Sequence, residues 1–195
     1  MRRKALISGL VFLSLVASTA AQQAPAAAAA KPDERPEVQK VLDRQLDTIE
    51  RLFVGAAEAM PAEKFEFVPT GGEFKEVRTF AQQIKHLAAA NLAIAAALKG
   101  EKSPYTIPEI VSGPPDVKTR DEVLKLVKDS YAAAHQAIAT IDAGNVTESI
   151  PDPFGGKMSR LALANLLATH GMDHYGQMVV YLRMNGVVPP ASRRN

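Results

Sequence analysis

Apolar residues recur at alternating spacings of four and three along four separate segments of the sequence. In an α-helix this spacing places them on one face, so each segment can bury one stripe against neighbouring helices. The clearest stripe, in residues 161–185, consists of Leu163, Leu167, His170, His174, Gln177 and Tyr181. We find no strand pattern and no internal repeat in the sequence. The spacing therefore predicts an all-α four-helix bundle.

Capping residues and helix breakers set the expected ends of these helices. Serine and threonine favour the first position of a helix, whereas glycine and proline favour its end. A proline-rich span should cross the bundle between the second and third helices. The expected helices run from Glu37 to Met60, from Thr79 to Gly100, from Thr119 or Asp121 through Ile141, and from Ser159 to Asn185.

The amino terminus has the pattern of an export signal. Three basic residues precede an apolar run from Ala5 to Ala17, and small residues follow it. This order predicts a secretory signal peptide over residues 1–21. A flexible leader rich in alanine and proline should then cover residues 22–36, ahead of one domain over residues 37–195. We expect a periplasmic or extracellular protein with no membrane span after signal cleavage.

Charge and cysteine content exclude several classes of partner and anchor. Three of the 23 basic residues lie in the predicted signal, and the rest nearly balance 21 acidic residues. Without a basic cluster interleaved with aromatic residues, nucleic acid is not an expected partner. The chain has no cysteine, which excludes a disulfide framework and a lipid anchor attached through cysteine.

His170 and His174 lie four residues apart in the fourth predicted helix. Four residues are about one helical turn, so both rings leave the same face and can bind one metal ion. The apolar stripe turns them towards the bundle interior, where an imidazole without a partner is costly. Two hydrogen-bonded core histidines would produce the same pattern, so the spacing alone leaves both interpretations open.

A metal site at this pair needs a third ligand from another helix. His86 is the best supplier, because it lies in the middle of the second predicted helix beside a row of alanines that leaves room for an ion. His135, in the third helix, is a weaker candidate. Zinc, nickel and iron all accept imidazole nitrogen, so the identity of the metal stays open. Gly171 stands where the HExxH zinc proteases carry glutamate, which excludes that class.

Two further side chains are candidates for a catalytic role. Asp173 lies beside the histidine pair and can orient His170 or a bound water, although a solvated acidic residue is the simpler interpretation. Tyr181 lies one stripe position past Gln177 and is a candidate hydrogen-bond donor at the cleft. The sequence shows no clear positively charged pocket and no other general base.

A resemblance to a known family rests on residues 80–87, 170–178, 181–183 and 186–190. The last three segments resemble the closing helix and tail of the DinB/YfiT-like metalloproteins, and the resemblance extends over nearly the whole predicted domain. The first segment, which contains His86, is similar to the helix that delivers the family's first histidine. The resemblance implies a four-helix bundle with a long link between its second and third helices. It also implies a divalent metal held by His86, His170 and His174.

The family resemblance leaves the function open, because this family includes thiol-dependent transferases, an isomerase acting on a thiol adduct and many members described only as metal-dependent hydrolases. Three nitrogen ligands leave an open position on the metal, where water becomes acidic enough to supply hydroxide near neutral pH. We expect an exported metal-dependent hydrolase acting on a small molecule. A non-catalytic metal-binding or interaction protein is one alternative. A thiol-dependent transferase is another, although export separates it from the mainly cytoplasmic thiols.

The fourth predicted helix carries a second apolar stripe on the face opposite the histidines. Its members are Leu161, Ala168, Met172 and Val179, with Ala164 and Leu182 beside them. A helix of a four-helix bundle needs only one buried face, so the leader, a loop or a second copy of the chain must cover this stripe. A homodimer is therefore one expected arrangement.

Overall fold

The computed structural model describes residues 34–193, which form five α-helices, a two-stranded hairpin and two short 3₁₀ helices. The predicted signal peptide and all but the end of the predicted leader lie outside the described residues. None of the described helices is long and apolar enough to cross a membrane. The elements are α1 (Glu37–Ala59), α2 (Phe80–Lys99), α3 (Ile107–Ser112), α4 (Arg120–Ile138), β1 (Ser149–Pro151), β2 (Lys157–Ser159) and α5 (Arg160–Met184), with 3₁₀ helices at Ala62–Lys64 and Pro190–Ser192.

The four long helices pack around one shared core. Helices α1 and α2 each pack against both α4 and α5, so each long helix has two neighbours. The largest fully buried side chains include Phe53 of α1, Phe80 of α2 and Tyr131 of α4. The all-α prediction is confirmed, and the four predicted helices correspond to α1, α2, α4 and α5.

Local sequence explains where three of the long helices begin. Thr79 and Thr119 precede α2 and α4, and each side chain accepts a backbone N–H from the first turn of its helix. Ser159 does the same for α5. These bonds satisfy amide groups that have no partner within the helix. Gly100 ends α2 with a φ of 73°, a left-handed conformation that glycine adopts without steric cost.

Two connections contain secondary structure that the sequence did not predict. The proline-rich crossing contains α3, which begins with a capping box between Thr106 and Glu109. The connection before α5 forms an antiparallel hairpin in which Ile150 pairs with Met158. The expectation of no strand was therefore wrong. Each strand has three residues, too few to show the two-residue alternation by which a strand is recognised.

His135, the weaker candidate for the metal site, binds acidic residues of α1 instead. Its Nδ1 lies 2.5 Å from Oδ1 of Asp43, and its Nε2 lies 3.0 Å from Oε2 of Glu50. Burial alone would lower the pKa of His135, but the hydrogen bonds and negative charges of Asp43 and Glu50 outweigh it and raise the pKa. When it is protonated, the ring links α4 to α1 through ion pairs with both carboxylates.

This ion-pair cluster predicts a pH-dependent contribution to stability. We expect His135→Gln to lower the free energy of unfolding by about 1.5 kcal/mol near pH 5.5, and by less near pH 8.5. The folded-state pKa is raised, so the stabilisation is fully present below the unfolded pKa of about 6.5 and is lost as pH rises through the folded pKa. Urea unfolding of both proteins across this range measures the difference. A difference that stays constant, or grows with pH, would contradict the role assigned to His135.

Candidate metal centre

Three histidines from two helices converge on one point. His86 comes from α2, and His170 and His174 come from successive turns of α5. The Nε2 atom of His170 lies 3.1 Å from Nε2 of His86 and 3.0 Å from Nε2 of His174. His174 is buried, and the other two rings are half-buried. The structure thus brings together the three histidines that the sequence singled out, and the group could hold a metal ion.

The outer nitrogens of two rings fix which nitrogen carries the proton. Nδ1 of His86 lies 2.7 Å from the carbonyl oxygen of Ile110, and Nδ1 of His174 lies 2.6 Å from Oε1 of Gln83. The amide nitrogen of Gln83 donates to Oε1 of Gln177 at 2.9 Å, which leaves its oxygen facing the ring. Because a carbonyl oxygen only accepts, both Nδ1 atoms are protonated donors. Both Nε2 atoms therefore present lone pairs to the centre.

The three facing Nε2 atoms suit a cation. His170 can donate a proton from Nε2 to only one of the two facing lone pairs, so at least one nitrogen has no partner within the group. Adding a second proton to a ring is unfavourable, because burial, and then neighbouring positive charge, lower the pKa of His170 to about 4 and that of His174 to about 3. With the proton of His170 on Nδ1, all three Nε2 atoms would present lone pairs to a divalent ion. Tetrahedral zinc would separate its nitrogen ligands by about 3.3 Å, close to the observed distances.

Gln83 is the residue that positions His174, and sequence reasoning missed it. Removing its amide in Gln83→Ala should weaken zinc binding about 10- to 100-fold, because the ring loses the acceptor that fixes its orientation. Gln83→Glu keeps the acceptor and should retain the affinity. Competition with a chromogenic zinc chelator measures both values. Equal affinities for Gln83→Ala and the unmodified protein would show that the hydrogen bond has no role in the site.

A polar cleft of about 400 Å³ borders Gln83, the hydrogen-bond partner of His174. Gln83 and Gln177 line it, and Gln83 is the direct partner of His174. The cleft therefore borders the residues that orient the candidate ligands. Its lining consists of Glu76, Val77, Arg78, Gln82, Gln83, Val111, Ser112 and Gln177.

Arg78 brings a positive charge to this cleft. Its Nε donates to the carbonyl oxygen of Val111 at 3.0 Å. Its own carbonyl oxygen accepts a hydrogen bond of 3.0 Å from the hydroxyl of Tyr181. The charge is close enough to contribute, after burial and other neighbours, to the lowered pKa of all three histidines. Sequence analysis found no positively charged pocket, since a single arginine before a helix gives no pattern.

The two candidate catalytic side chains differ in their exposure and in their hydrogen-bond partners. Tyr181 is buried and uses its hydroxyl to hold the Arg78 backbone, which makes it a positioning residue for the cleft. Asp173 is exposed and accepts a hydrogen bond from Nε2 of Gln177 at 3.1 Å. Burial lowers the pKa of His170, and the negative charge of Asp173 offsets part of that effect. Asp173 is therefore the carboxylate whose charge reaches the histidine group.

Four packed helices with three inward-facing histidines define an all-α protein with a candidate divalent-metal site. The family model of the DinB superfamily matches residues 45–178, and the chain belongs to this superfamily. A solved structure assigned to the DinB family, from Exiguobacterium sibiricum 255-15, aligns with a TM-score of 0.58 and 17% identity. The alignment covers 78% of this chain and 94% of that one, and at this identity it supports the fold alone. The search of curated proteins finds no match.

Proposed function

We propose that the protein is a metal-dependent hydrolase whose divalent ion is held by His86, His170 and His174. The observation that carries the proposal is the convergence of three histidine Nε2 atoms, together with the polar cleft that borders Gln83, the partner of His174. A zinc, nickel or iron ion bound there would keep an open position and lower the pKa of a water towards neutrality. All three protein ligands are neutral, so they leave the full charge of the ion available for this effect.

The surrounding residues prepare the site for a small substrate. The Ile110 carbonyl and the Gln83 amide hold two of the rings in the tautomer that presents Nε2. The cleft volume of about 400 Å³ falls in the range of small-molecule sites. Asp173 lies at the exposed side and is the candidate to accept a proton released during hydrolysis. Its hydrogen bond from Gln177 ties it to the cleft lining.

A non-catalytic metal-binding protein is the main alternative. It is favoured by the placement of the two candidate catalytic side chains, since Tyr181 is committed to the Arg78 backbone and Asp173 is exposed. A thiol-dependent transferase is favoured by the positive charge that Arg78 supplies to the cleft, which suits an acidic thiol. The expected export counts against this second alternative.

The test is elemental analysis of protein produced without a histidine tag, followed by a hydrolysis screen with esters, amides and phosphoesters. We expect hydrolysis of at least one class that a chelator abolishes and added metal restores. His174→Ala should remain inactive after metal is added. A protein that binds one equivalent of metal and hydrolyses nothing above the buffer rate would favour the non-catalytic alternative. Hydrolysis that persists in the chelated protein would exclude the metal-dependent mechanism.

Export is part of the proposal and is supported by the basic, apolar and small-residue order of residues 1–21. Expression of the full chain in a bacterium with two membranes, followed by mass measurement of the periplasmic product, tests it. The expected product begins near residue 22. A product of full-length mass in the cytoplasm would contradict export.

A homodimer remains a proposal and is supported by apolar side chains exposed on α5. Leu161 and Met172 are 42% and 49% exposed, and both border grooves between α5 and α1. Ala164 and Leu182 belong instead to the core. Sedimentation that shows only monomer at micromolar concentration would remove this proposal.

A further inference from the structure

Arg78 differs from the other half-buried arginines of the described residues, which are Arg120 and Arg160. Arg120 pairs with Asp121, and Arg160 pairs with Glu148. Within residues 34–193, no carboxylate lies within ion-pair distance of Arg78. The charge of Arg78 therefore has no counter-ion among these residues, and its hydrogen bond to Val111 is exposed, so the guanidinium is open to an anion from solution.

The guanidinium of Arg78 is held in place with most of its donors free. Nε uses its single N–H to bond the Val111 carbonyl, and Tyr181 holds the backbone of the same residue. The four N–H groups on the two Nη atoms have no acceptor among the described residues. A planar pair of Nη donors matches two oxygens of a carboxylate or phosphate, and fixing the side chain in advance lowers the entropic cost of that match.

The charge balance of the cleft also favours an anion. The three histidines are neutral ligands, so a bound divalent ion and Arg78 would add positive charge without a matching carboxylate at the ion. Glu76 lines the same cleft but is exposed and forms no ion pair with Arg78. Asp173 is exposed on α5. With a divalent ion bound, the positive charge of the ion and Arg78 would exceed the single negative charge of Glu76 in the cleft, which would attract small anions and raise their local concentration.

We propose that the cleft binds substrates through a compact oxyanion, a carboxylate or phosphate, and that Arg78 holds it through both Nη atoms. Gln82 and Ser112 line the same cleft and supply neutral hydrogen-bonding groups around the anion. The site thus selects small molecules with an acidic group next to the bond that is cleaved. The term substrate rests on the proposed hydrolase function, whereas anion binding at Arg78 does not depend on it.

The direct test is calorimetric titration of the zinc-loaded protein, at low salt, with inorganic phosphate and separately with succinate. We expect at least one of the two to bind, and Arg78→Gln to weaken that binding about tenfold or more. Arg78→Lys should be intermediate, because an ammonium keeps the charge but not the paired donors. Arg44→Gln changes an exposed arginine of α1 that lines a separate groove, and it should leave both affinities unchanged.

The outcomes separate the two anions and decide the proposal. Stronger dependence on Arg78 for succinate indicates a carboxylate site, and stronger dependence for phosphate indicates a phosphate site. Equal affinities for Arg78→Gln and the unmodified protein would overturn the proposal, as would no binding of either anion at about 50 mM. Glu76→Gln should strengthen binding slightly, since it removes a repelling charge from the cleft.

A second measurement links Arg78 to hydrolysis. If the protein hydrolyses esters, Arg78→Gln should raise KM about tenfold for the mono-4-nitrophenyl ester of succinic acid and leave KM for 4-nitrophenyl acetate unchanged. Equal changes for both esters would overturn the role of Arg78 in substrate selection. If neither ester nor any other substrate is hydrolysed, the hydrolase proposal fails, and the anion titration still decides the binding site.

Discussion

Replacing His174 with alanine should abolish stoichiometric metal binding. Removal of one of three protein ligands should cost about 3 kcal/mol of binding free energy, a loss of affinity of more than 100-fold. Helix content should change little, because the folding energy comes from the apolar stripes of the four long helices. Elemental analysis and circular dichroism of the dialysed protein measure the two effects.

His135→Ala is the matched control for this variant. It removes the same side chain from the separate cluster with Asp43 and Glu50, so it should keep one equivalent of metal. Full metal occupancy in His174→Ala would contradict the ligand assignment. Loss of metal in both variants would show that binding depends on general stability and not on the convergence of three rings.

Replacing Gly171 with alanine should destabilise the fold by about 2 kcal/mol, because α5 lies very close to α1 at this residue. A Cβ atom at Gly171 would lie 2.7 Å from Cγ1 of Ile49 and 3.4 Å from the hydroxyl of Tyr131. Ile49 is 1% exposed and Tyr131 is fully buried, so neither side chain can move aside freely. The β-branch of Ile49 adds stiffness. The two helices must therefore separate, and urea unfolding measures the cost.

Gly176→Ala, on the same helix, should have the opposite effect on the free energy of unfolding. A Cβ there meets no atom within 4 Å, and the position is exposed. Alanine should stabilise α5 at this position by about 0.5 to 1 kcal/mol, because glycine loses more backbone entropy in a helix. Shifts of the same sign in both variants would contradict the close approach at Gly171. Zinc affinity should also fall in Gly171→Ala, because the substitution displaces the turn that carries His170.

The sequence shows that Gly171 excludes one class of metal site, but it does not show the role of this residue in helix packing. Its identity excluded the zinc-protease pattern, which requires glutamate after the first histidine. The structure shows that at the same position the backbone of α5 packs closely against the Ile49 side chain. Nothing in the local sequence indicates this contact, because Ile49 lies on a helix more than one hundred residues earlier in the chain.

The helices and the three histidines could be predicted because their signals are local or periodic. Thr79, Thr119 and Ser159 are capping residues directly before apolar stripes, and each begins a helix in the structure. His170 and His174 lie in the stripe itself, so burial and proximity follow from one helical turn. Helix α3 was also within reach, since Thr106 and Glu109 have the spacing of a capping box.

The residues around the histidines could not be predicted, because they depend on contacts between distant segments. Gln83 reaches His174 from another helix, and the Ile110 carbonyl reaches His86 from the unpredicted α3. The backbone of Arg78 is held at the cleft by the hydroxyl of Tyr181, which is 103 positions further along the chain. Side chains of this kind have no spacing rule. Their contacts are determined by how the helices pack against one another.

The most direct test of the metal centre is a crystal structure of the untagged protein loaded with zinc, with anomalous scattering measured on both sides of the zinc absorption edge. We expect one anomalous peak between His86, His170 and His174, with each Nε2 atom about 2.0 to 2.1 Å from the ion. A peak instead among Asp47, Glu50 and His135, the other group whose geometry could hold an ion, would contradict the account. The absence of zinc from the three histidines at full loading would contradict it equally.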